Sequence, residues 1–312
     1  MQGEATPAQV AALLIGLRVK GETPDEVAGA ADALRGAMVR LPAKNPSDLV
    51  DTCGTGGGAV GTFNISTAAA LLAAGLGVRI AKHGNRSFTS QCGSADVLEA
   101  LGVPVEVSVE VMTRALRDAG IVFMFAPLMH PAMRHVGPVR RELAIPTVMN
   151  IVGPLANPAS AGRQVVGVAD VKRVPLIAGA LRSLGTVHAL VVHGEPGMDE
   201  ISPLGVTHVV EIRDGTIREW TIDPATFGFA AGNAEELAGG SPAQNAAAVS
   251  AVLDGSAPAT ATAAVILNAA AALFISPGGP ADYGDAINVA RAGLRDGAGM
   301  RALERLRAAH RA

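Results

Sequence analysis

Aromatic side chains are scarce. The 312 residues hold one tryptophan, one tyrosine and seven phenylalanines. So few rings leave little with which to stack the successive bases of a nucleic acid. An excess of one charge is missing as well. Lys and Arg number 25 against 28 Asp and Glu, a formal net charge of −3, which disfavours a general nucleic-acid or anionic-membrane surface. Cys53 and Cys92 are the only cysteines. That is too few for a disulfide scaffold or a cysteine-rich zinc protein, and free thiols are the expectation. The longest apolar stretches, 68–78 and 263–275, fall short of the ~20 residues that span a bilayer. The first residues are polar and capped like a helix start, so they do not read as a signal peptide. The simplest reading is a soluble, cytoplasmic protein with no membrane and no nucleic-acid partner.

What is abundant is apolar and small. Hydrophobic residues make up 49% and charged residues 17%, with 37 glycines, a composition that buries a large core and packs helices closely on a sheet. The length suits two domains or one large α/β domain. Thr6-Pro7-Ala8-Gln9 and Thr23-Pro24-Asp25-Glu26 are capping boxes with proline at the first helical position. They predict helices over 7–20 and 24–40, with a linker at 42–46. From Ser47 the pattern becomes α/β. Strands are expected at 48–53, 78–82, 121–126, 165–169 and 187–193, alternating with helices at 65–75, 94–101, 108–119, 131–143 and 173–184. Gly75, Gly102 and Gly120 stand where helix ends are expected. Such alternation means a mostly parallel central sheet flanked by helices. Two β-rich runs in 207–222 flank Asp214-Gly215, a hairpin signal, and the tail returns to helix at about 242–253, 258–275, 281–295 and 298–310.

Four segments carry chemistry. The first runs from Asp51 through Thr52, Cys53, Gly54, Thr55, Gly56 and Gly57 to Gly58, then through Thr62, Asn64, Ser66 and Thr67 into an alanine-rich helix. Glycines admit main-chain N–H groups to an oxyanion, and a helix start adds partial positive charge. The alternative is an ordinary βα turn; the Asn-x-Ser-Thr following it favours phosphate. Second is Lys82-His83-Gly84-Asn85-Arg86, placed after a strand, where open α/β sheets bind ligands. Its cations suit a polyanion, though an isolated basic loop is commonly just solvated. Third is Asp199-Glu200, an oxygen pair of the kind that holds Mg²⁺ beside phosphates, or else a surface acid pair. Fourth is His130-Pro131 followed by Arg140-Arg141-Glu142, where an arginine could hold a carboxylate or simply pair with acids on a helix surface.

Taken together, these segments resemble anthranilate phosphoribosyltransferases. The resemblance runs in order from about Gly3 to the C-terminal helices. It rests on Gly54-Thr-Gly-Gly57, Asn64-Ile-Ser-Thr67, Lys82-His-Gly-Asn-Arg86, the run Gly93–Gly102, His130-Pro-Ala-Met133, Val139-Arg-Arg-Glu142, the run Asn150–Pro158 and Gly197-Met-Asp-Glu200. It implies a small all-helical N-terminal domain, here 1–44 joined in space by about 131–145, and a larger α/β phosphoribosyl-binding domain at 47–312. It implies phosphoribosyl pyrophosphate (PRPP) and anthranilate as substrates, Mg²⁺ as cofactor, and a homodimer. Carried over by position, Gly54, Thr55, Gly56, Gly57, Thr62, Asn64, Ser66, Thr67, Lys82, His83, Gly84, Asn85 and Ser94 would bind PRPP. Gly54, Asn85, His130 and Arg140 would bind anthranilate, and Ser66, Asp199 and Glu200 the metal. No residue is assigned as acid or base, because an aromatic amine is already neutral at pH 7; Lys82 and Arg140 would act through orientation and charge.

Three departures accompany the resemblance. Gly58 stands where the family's loop usually ends in aspartate, which leads us to expect an altered Mg²⁺ dependence. Gln91-Cys92 replaces a frequent Lys-Ser in a loop expected to close over the substrates. Met1 falls near the end of the family's second helix, so about one helix and part of another are expected to be missing, which weakens the case for a dimer. A pyrimidine nucleoside phosphorylase-like enzyme and a non-catalytic nucleic-acid-binding homologue are the rival readings. Arg140 and the Asp199-Glu200 pair weigh against the first, and the intact motifs and negative charge against the second.

Overall fold

Both capping boxes form. Thr6 Oγ1 accepts the Gln9 amide at 3.3 Å while the Gln9 side chain takes the Thr6 amide at 2.9 Å, starting α1 (Pro7–Lys20). Thr23 and Glu26 do the same for α2 (Pro24–Gly36). Helix α2 stops short of the expected residue 40, because the chain beyond Gly36 finds tertiary partners. The Val39 amide donates to Met129 O at 2.8 Å and the Leu41 amide to Pro158 O at 3.0 Å. The computed structural model describes residues 1, 3–87 and 91–311. Residues 88–90, within the loop expected to close over the substrates, lie outside the described residues.

The α/β part alternates as read from the sequence. Strand β1 (Val50–Gly54) leads through the glycine loop to α3 (Ile65–Gly75), then β2 (Ile80–Gly84), α4 (Ser94–Ala100), α5 (Val109–Asp118) and β3 (Ile121–Phe125). A short helix α6 (Ala126–Met129) and α7 (Met133–Leu143) precede β4 (Arg163–Gly167), α8 (Val174–Ser183) and β5 (His188–Gly194). The hairpin β6 (Thr207–Arg213) and β7 (Thr216–Ile222) turns at Asp214 and Gly215, both at positive φ, as a two-residue turn with right-handed strand twist requires. Helices α9 (Pro242–Asp254), α10 (Ala259–Ile275), α11 (Tyr283–Arg295) and α12 (Ala298–Arg311) complete the chain. The seven strands form one sheet in the order β3-β2-β1-β4-β5-β6-β7. β1 to β5 are parallel, and the hairpin extends the sheet antiparallel.

The sheet divides the apolar interior in two, because successive strand residues face opposite sides. Val165, Leu190 and Val209 belong to the cluster under α3 and α10, whereas Val166, Val191 and Val210 belong to the cluster under α8. Leu14, Val27, Ala31 and Leu34 of the first two helices and Val136 of α7 are buried in that second cluster beside Ile177 and Leu181. Residues 7–36 thus seat on one face of the sheet. On the other face lie α3 and α10, buried almost throughout; each fully buried leucine there contributes roughly 1.5–3 kcal/mol. Among the described residues no single helix is long and apolar enough to cross a membrane.

Gly102 and Gly120 adopt the left-handed φ of helix-ending glycines, at +77° and +74°. Gly75 does not; the left-handed residue after α3 is Gly77. Gly75 is instead a packing glycine, since a Cβ there would fall 2.1 Å from the carbonyl oxygen of Ala298 at the start of α12. Gly75→Ala is expected to lower stability by about 1–3 kcal/mol through overpacking. A thermal melt checks this, and an unchanged midpoint would contradict the packing role.

Candidate active site

The chain order of the parallel strands reverses between β1 and β4. A crevice opens beyond the strand ends at such a point, and ligands of open α/β sheets bind there. β1 and β4 end in register at Gly54 and Gly167, and the segment carrying Asp199 and Glu200 lies across both ends. A Cβ on Gly54 would meet Asp199 Oδ2 at 2.5 Å, and one on Gly167 would meet the Asp199 carbonyl oxygen at 1.7 Å. A glycine thus ends each strand beneath this loop, with the main chain of Asp199 against Gly167 and its carboxylate against Gly54. The glycine loop and the acid pair, far apart in the chain, therefore form one structure. The Gly56 amide donates to Asp199 Oδ2 at 2.8 Å, the Thr55 amide to Gly167 O and the Ala59 amide to Gly197 O, each at 2.9 Å. Thr55 Oγ1 accepts from the Ala169 amide at 3.2 Å. Gly56 and Gly57 hold φ of +72° and +78°, the conformation for which glycine is needed. A Cβ on Gly58 would lie 3.2 Å from Asp199 Oδ1, so an acid at 58 would stand directly against Asp199.

Helix α3 brings Ser66 and Thr67 to the same place. The Ser66 amide donates to Glu200 Oε1 at 3.1 Å, and the Ser66 hydroxyl accepts from the Lys82 ammonium at 3.1 Å. Thr67 Oγ1 is buried without a hydrogen-bond partner among the described residues. Asn64 is committed within the protein. Its Nδ2 donates to Cys92 O at 3.3 Å, and its Oδ1 accepts from Asn245 Nδ2 at 2.8 Å. Thr62 bridges to Ala238 through its main chain.

Lys82 does not reach into open space. It is 3% exposed, and its ammonium donates to the carbonyl oxygen of Thr52 and to Ser66 Oγ, with Thr52 Oγ1 at 3.4 Å. Burial lowers its proton affinity, opposed by the charges of Asp51, Cys53 and Glu200. Glu200 is pushed up to about 8, by burial and then by Asp199, against the pull of Lys82 and the Ser66 amide. Among the described residues no group of three or more His, Cys, Asp or Glu could hold a metal ion. Mg²⁺ needs no such cage, since it commonly uses one or two carboxylates together with substrate phosphates. The Asp199–Glu200 pair, whose mutual repulsion contributes to that shift, fits this pattern.

His83 and His130 meet across the site, with Nε2 atoms 3.2 Å apart and ring centroids 4.9 Å apart. Burial is the main reason that His83 falls to about 3 and His130 to about 4, so both rings are neutral at pH 7 and one Nε2–H donates to the other. Asn85 is exposed. Its side-chain oxygen accepts the Arg86 amide at 2.8 Å, and its carbonyl accepts Ser94 Oγ at 3.3 Å. Gly84 is forced, as a Cβ would sit 2.3 Å from Ser94 Oγ. Arg86 turns away into Glu99 at 2.5 Å and Asp96 and Glu106, each at 3.0 Å. It anchors the loop. Arg140, by contrast, is half-buried on α7, its guanidinium making no hydrogen bond or ion pair among the described residues, and burial alone depresses its proton affinity. Asp51, Asn157 and Asn245 are buried polar groups to which sequence reasoning assigned no role. Asp51 and Asn157 occur inside the motifs, but only their neighbours in space mark them out.

The family described as "Glycosyl transferase family, a/b domain" matches residues 46–300, and "Glycosyl transferase family, helical bundle domain" matches 1–38. The anthranilate phosphoribosyltransferase of Chloroflexus aggregans is 50% identical over 307 residues, 98% of this chain and 88% of its own length. The chain belongs to the anthranilate phosphoribosyltransferase family. A second member, from Herpetosiphon aurantiacus, is 48% identical over 98% of this chain and 90% of its own. Among solved members of the family, the Thermus thermophilus enzyme superimposes with a TM-score of 0.92 at 42% identity, covering 99% of this chain and 92% of that one. The Saccharomyces cerevisiae enzyme in complex with PRPP and Mg gives 0.87 at 28% identity, over 98% and 85%.

The histidine pair yields a pH prediction. Both folded pKa values lie below the ordinary 6.5. The stability linked to them is therefore fully present above pH 6.5 and is lost as pH falls through about 4 and then about 3. Ring ¹⁵N shifts of His83 and His130 at pH 6 should report neutral imidazoles. An imidazolium signal from either would contradict this environment.

Proposed function

We propose that this chain transfers the phosphoribosyl group of PRPP to the amine of anthranilate, releasing pyrophosphate, and that the crevice over β1 and β4 is where it does so. The observation that carries the proposal is the junction of the glycine loop with Asp199 and Glu200, which sets phosphate-binding geometry beside a carboxylate pair at one strand switch. In this reading the loop from Gly54 to Gly57, the start of α3 with the Thr67 hydroxyl, and the turn Gly84-Asn85 with Ser94 hold PRPP. Thr62, Asn64 and His83 shape that site from behind. Lys82 serves as a buried counter-charge to Asp51 and Glu200. Gly54, Asn85 and His130 line the anthranilate path, and the guanidinium of Arg140 receives the anthranilate carboxylate.

Asp199 and Glu200, with Ser66 beside them, would hold Mg²⁺, which when bound supplies positive charge for the departing pyrophosphate. The protein's own residues do the remainder. The anthranilate nitrogen carries its lone pair at pH 7 and attacks ribose C1 once the two substrates are aligned, so orientation and water exclusion are the main contributions. The assembly we propose is a cytoplasmic homodimer acting on small molecules alone. Leu13 and Val19, 63% and 82% exposed on α1, supply apolar surface for a second copy. The division we propose is 1–44 with about 131–145, and 47–312.

Loss of anthranilate fluorescence on mixing the protein with PRPP and Mg²⁺ tests the activity directly; consumption should require all three. Folded protein that consumes nothing would overturn the proposal. Arg140→Ala should weaken anthranilate use by about 2–5 kcal/mol, the usual loss when one side of a charged contact is removed, while the KM for PRPP holds. An unchanged kcat/KM for anthranilate would remove that role. Asp199→Asn combined with Glu200→Gln should stay folded and lose Mg²⁺-dependent turnover, and wild-type activity in that double variant would end the metal assignment.

A further inference from the structure

Strand β1 is joined to its two neighbours very unequally. Against β4 it keeps five successive partners, Val50↔Arg163 through Gly54↔Gly167. Against β2 it keeps only Val50↔Ile80. Were that parallel ladder to continue, Thr52 would next bond the carbonyl of Ala81 and the amide of His83. Side chains occupy those positions instead. Asn157 Nδ2 donates to Ala81 O at 2.8 Å. The His83 amide donates to Asp51 Oδ1 at 3.1 Å, and the Lys82 ammonium caps Thr52 O. The inserted groups are tied to each other, because Asn157 Nδ2 also donates to Asp51 Oδ2 at 2.7 Å. Asn157 is anchored in turn, its Oδ1 accepting the Ala159 amide at 2.9 Å and the Ala161 amide at 3.4 Å.

Asp51 is 0% exposed and Asn157 2%. A buried carboxylate is a poor device for stability alone, since apolar side chains and a closed ladder would serve as well or better. What the arrangement accomplishes is geometric. β1 and β2 are splayed at the ends that face the site, and the residues of β2 at the splay are Lys82 and His83. Lys82 is thereby set against Thr52 and Ser66, and His83 against His130.

We infer that Asp51 and Asn157 are positioning residues for the transfer, holding the ends of β1 and β2 apart so that Lys82 and His83 meet the site at fixed spacing. This rests on the phosphoribosyltransferase reading above. Neither residue is placed on a substrate; both act through the main chain of β2, and Asp51 also through its charge beside Lys82.

The test is steady-state kinetics on Asp51→Asn and Asn157→Ala, each normalised to folded protein by circular dichroism and a thermal melt. Asp51→Asn keeps the side-chain shape and one acceptor for the His83 amide, but sets its NH₂ against that of Asn157. Because it removes a buried charge, it carries the test should Asn157→Ala fail to fold. Displacements on the order of 1 Å at a reacting centre cost up to about 10²-fold. We therefore expect kcat to fall at least about tenfold, with both KM values within about threefold. The double variant should be no slower than the worse single, because both changes cut one linkage. A merely structural role would lower the melting temperature and leave kcat per folded protein within about twofold; that result, or losses that multiply in the double variant, would overturn the inference. Wild-type protein run alongside separates the two readings. Turnover in wild type with unaffected variants removes this inference alone, and absence of wild-type turnover removes the transferase reading and this inference with it.

Discussion

The seating of the Asp199–Glu200 segment on the ends of β1 and β4 is the contact on which the site depends. Its main chain comes so close to Gly167, and the Asp199 carboxylate so close to Gly54, that a methyl group on either glycine would collide with Asp199. Gly194 is under the same constraint from the carbonyl of Glu200, 2.5 Å from its ideal Cβ. These three glycines are required by close approach, whereas Gly56 and Gly57 are required by their backbone angles. One short stretch of sequence thus contains glycines with two different physical jobs. One set makes room for the acids, and the other turns the loop so that Gly56 can donate to Asp199.

That contact concentrates charge in a small volume. Asp51, Lys82 and Glu200 are each removed from water, and their proton affinities are displaced mainly by that burial. Asp51 is raised to about 6 even with Lys82, Asn157 and the His83 amide pulling it down. The positive charge of Lys82 lowers the proton affinity of both carboxyls, while its ammonium is hydrogen-bonded to Thr52 and Ser66 inside the protein. Within the site, Asp199 and the Arg140 guanidinium keep capacity for a ligand, one negative and one positive. That polarity matches a substrate pair in which phosphates arrive with a cation and an aromatic ring arrives with a carboxylate.

Much of the fold was legible because local and tertiary preferences agree. The five parallel strands lie within two or three residues of the runs read from apolar clustering, and Asp214-Gly215 turns the hairpin as its composition requires. The capping boxes predicted both helix starts, since a cap is satisfied by residues three apart in the chain. The end of α2 was not legible. It is decided by Met129 and Pro158, which are nowhere near it in sequence. Gly75 does end α3, as expected, but without the left-handed φ: a helix-ending glycine and one crowded by a distant carbonyl look alike in sequence.

By itself, the sequence determined the order of the elements, the family and the set of chemical groups available, because these follow from short-range patterns and from motifs kept in order. The tertiary structure alone decided which of those groups are free to act. Arg86 and Arg140 are both arginines in charged segments, yet one guanidinium is spent on three carboxylates and the other has no partner among the described residues. Asn64 and Lys82 carry the expected donors but direct them at Cys92, Thr52 and Ser66. Asp51 and Asn157 become visible only when a β1–β2 ladder is found replaced by their side chains. A hydrogen bond has a finite number of partners, and which of them is satisfied depends on what folding brings within about 3 Å.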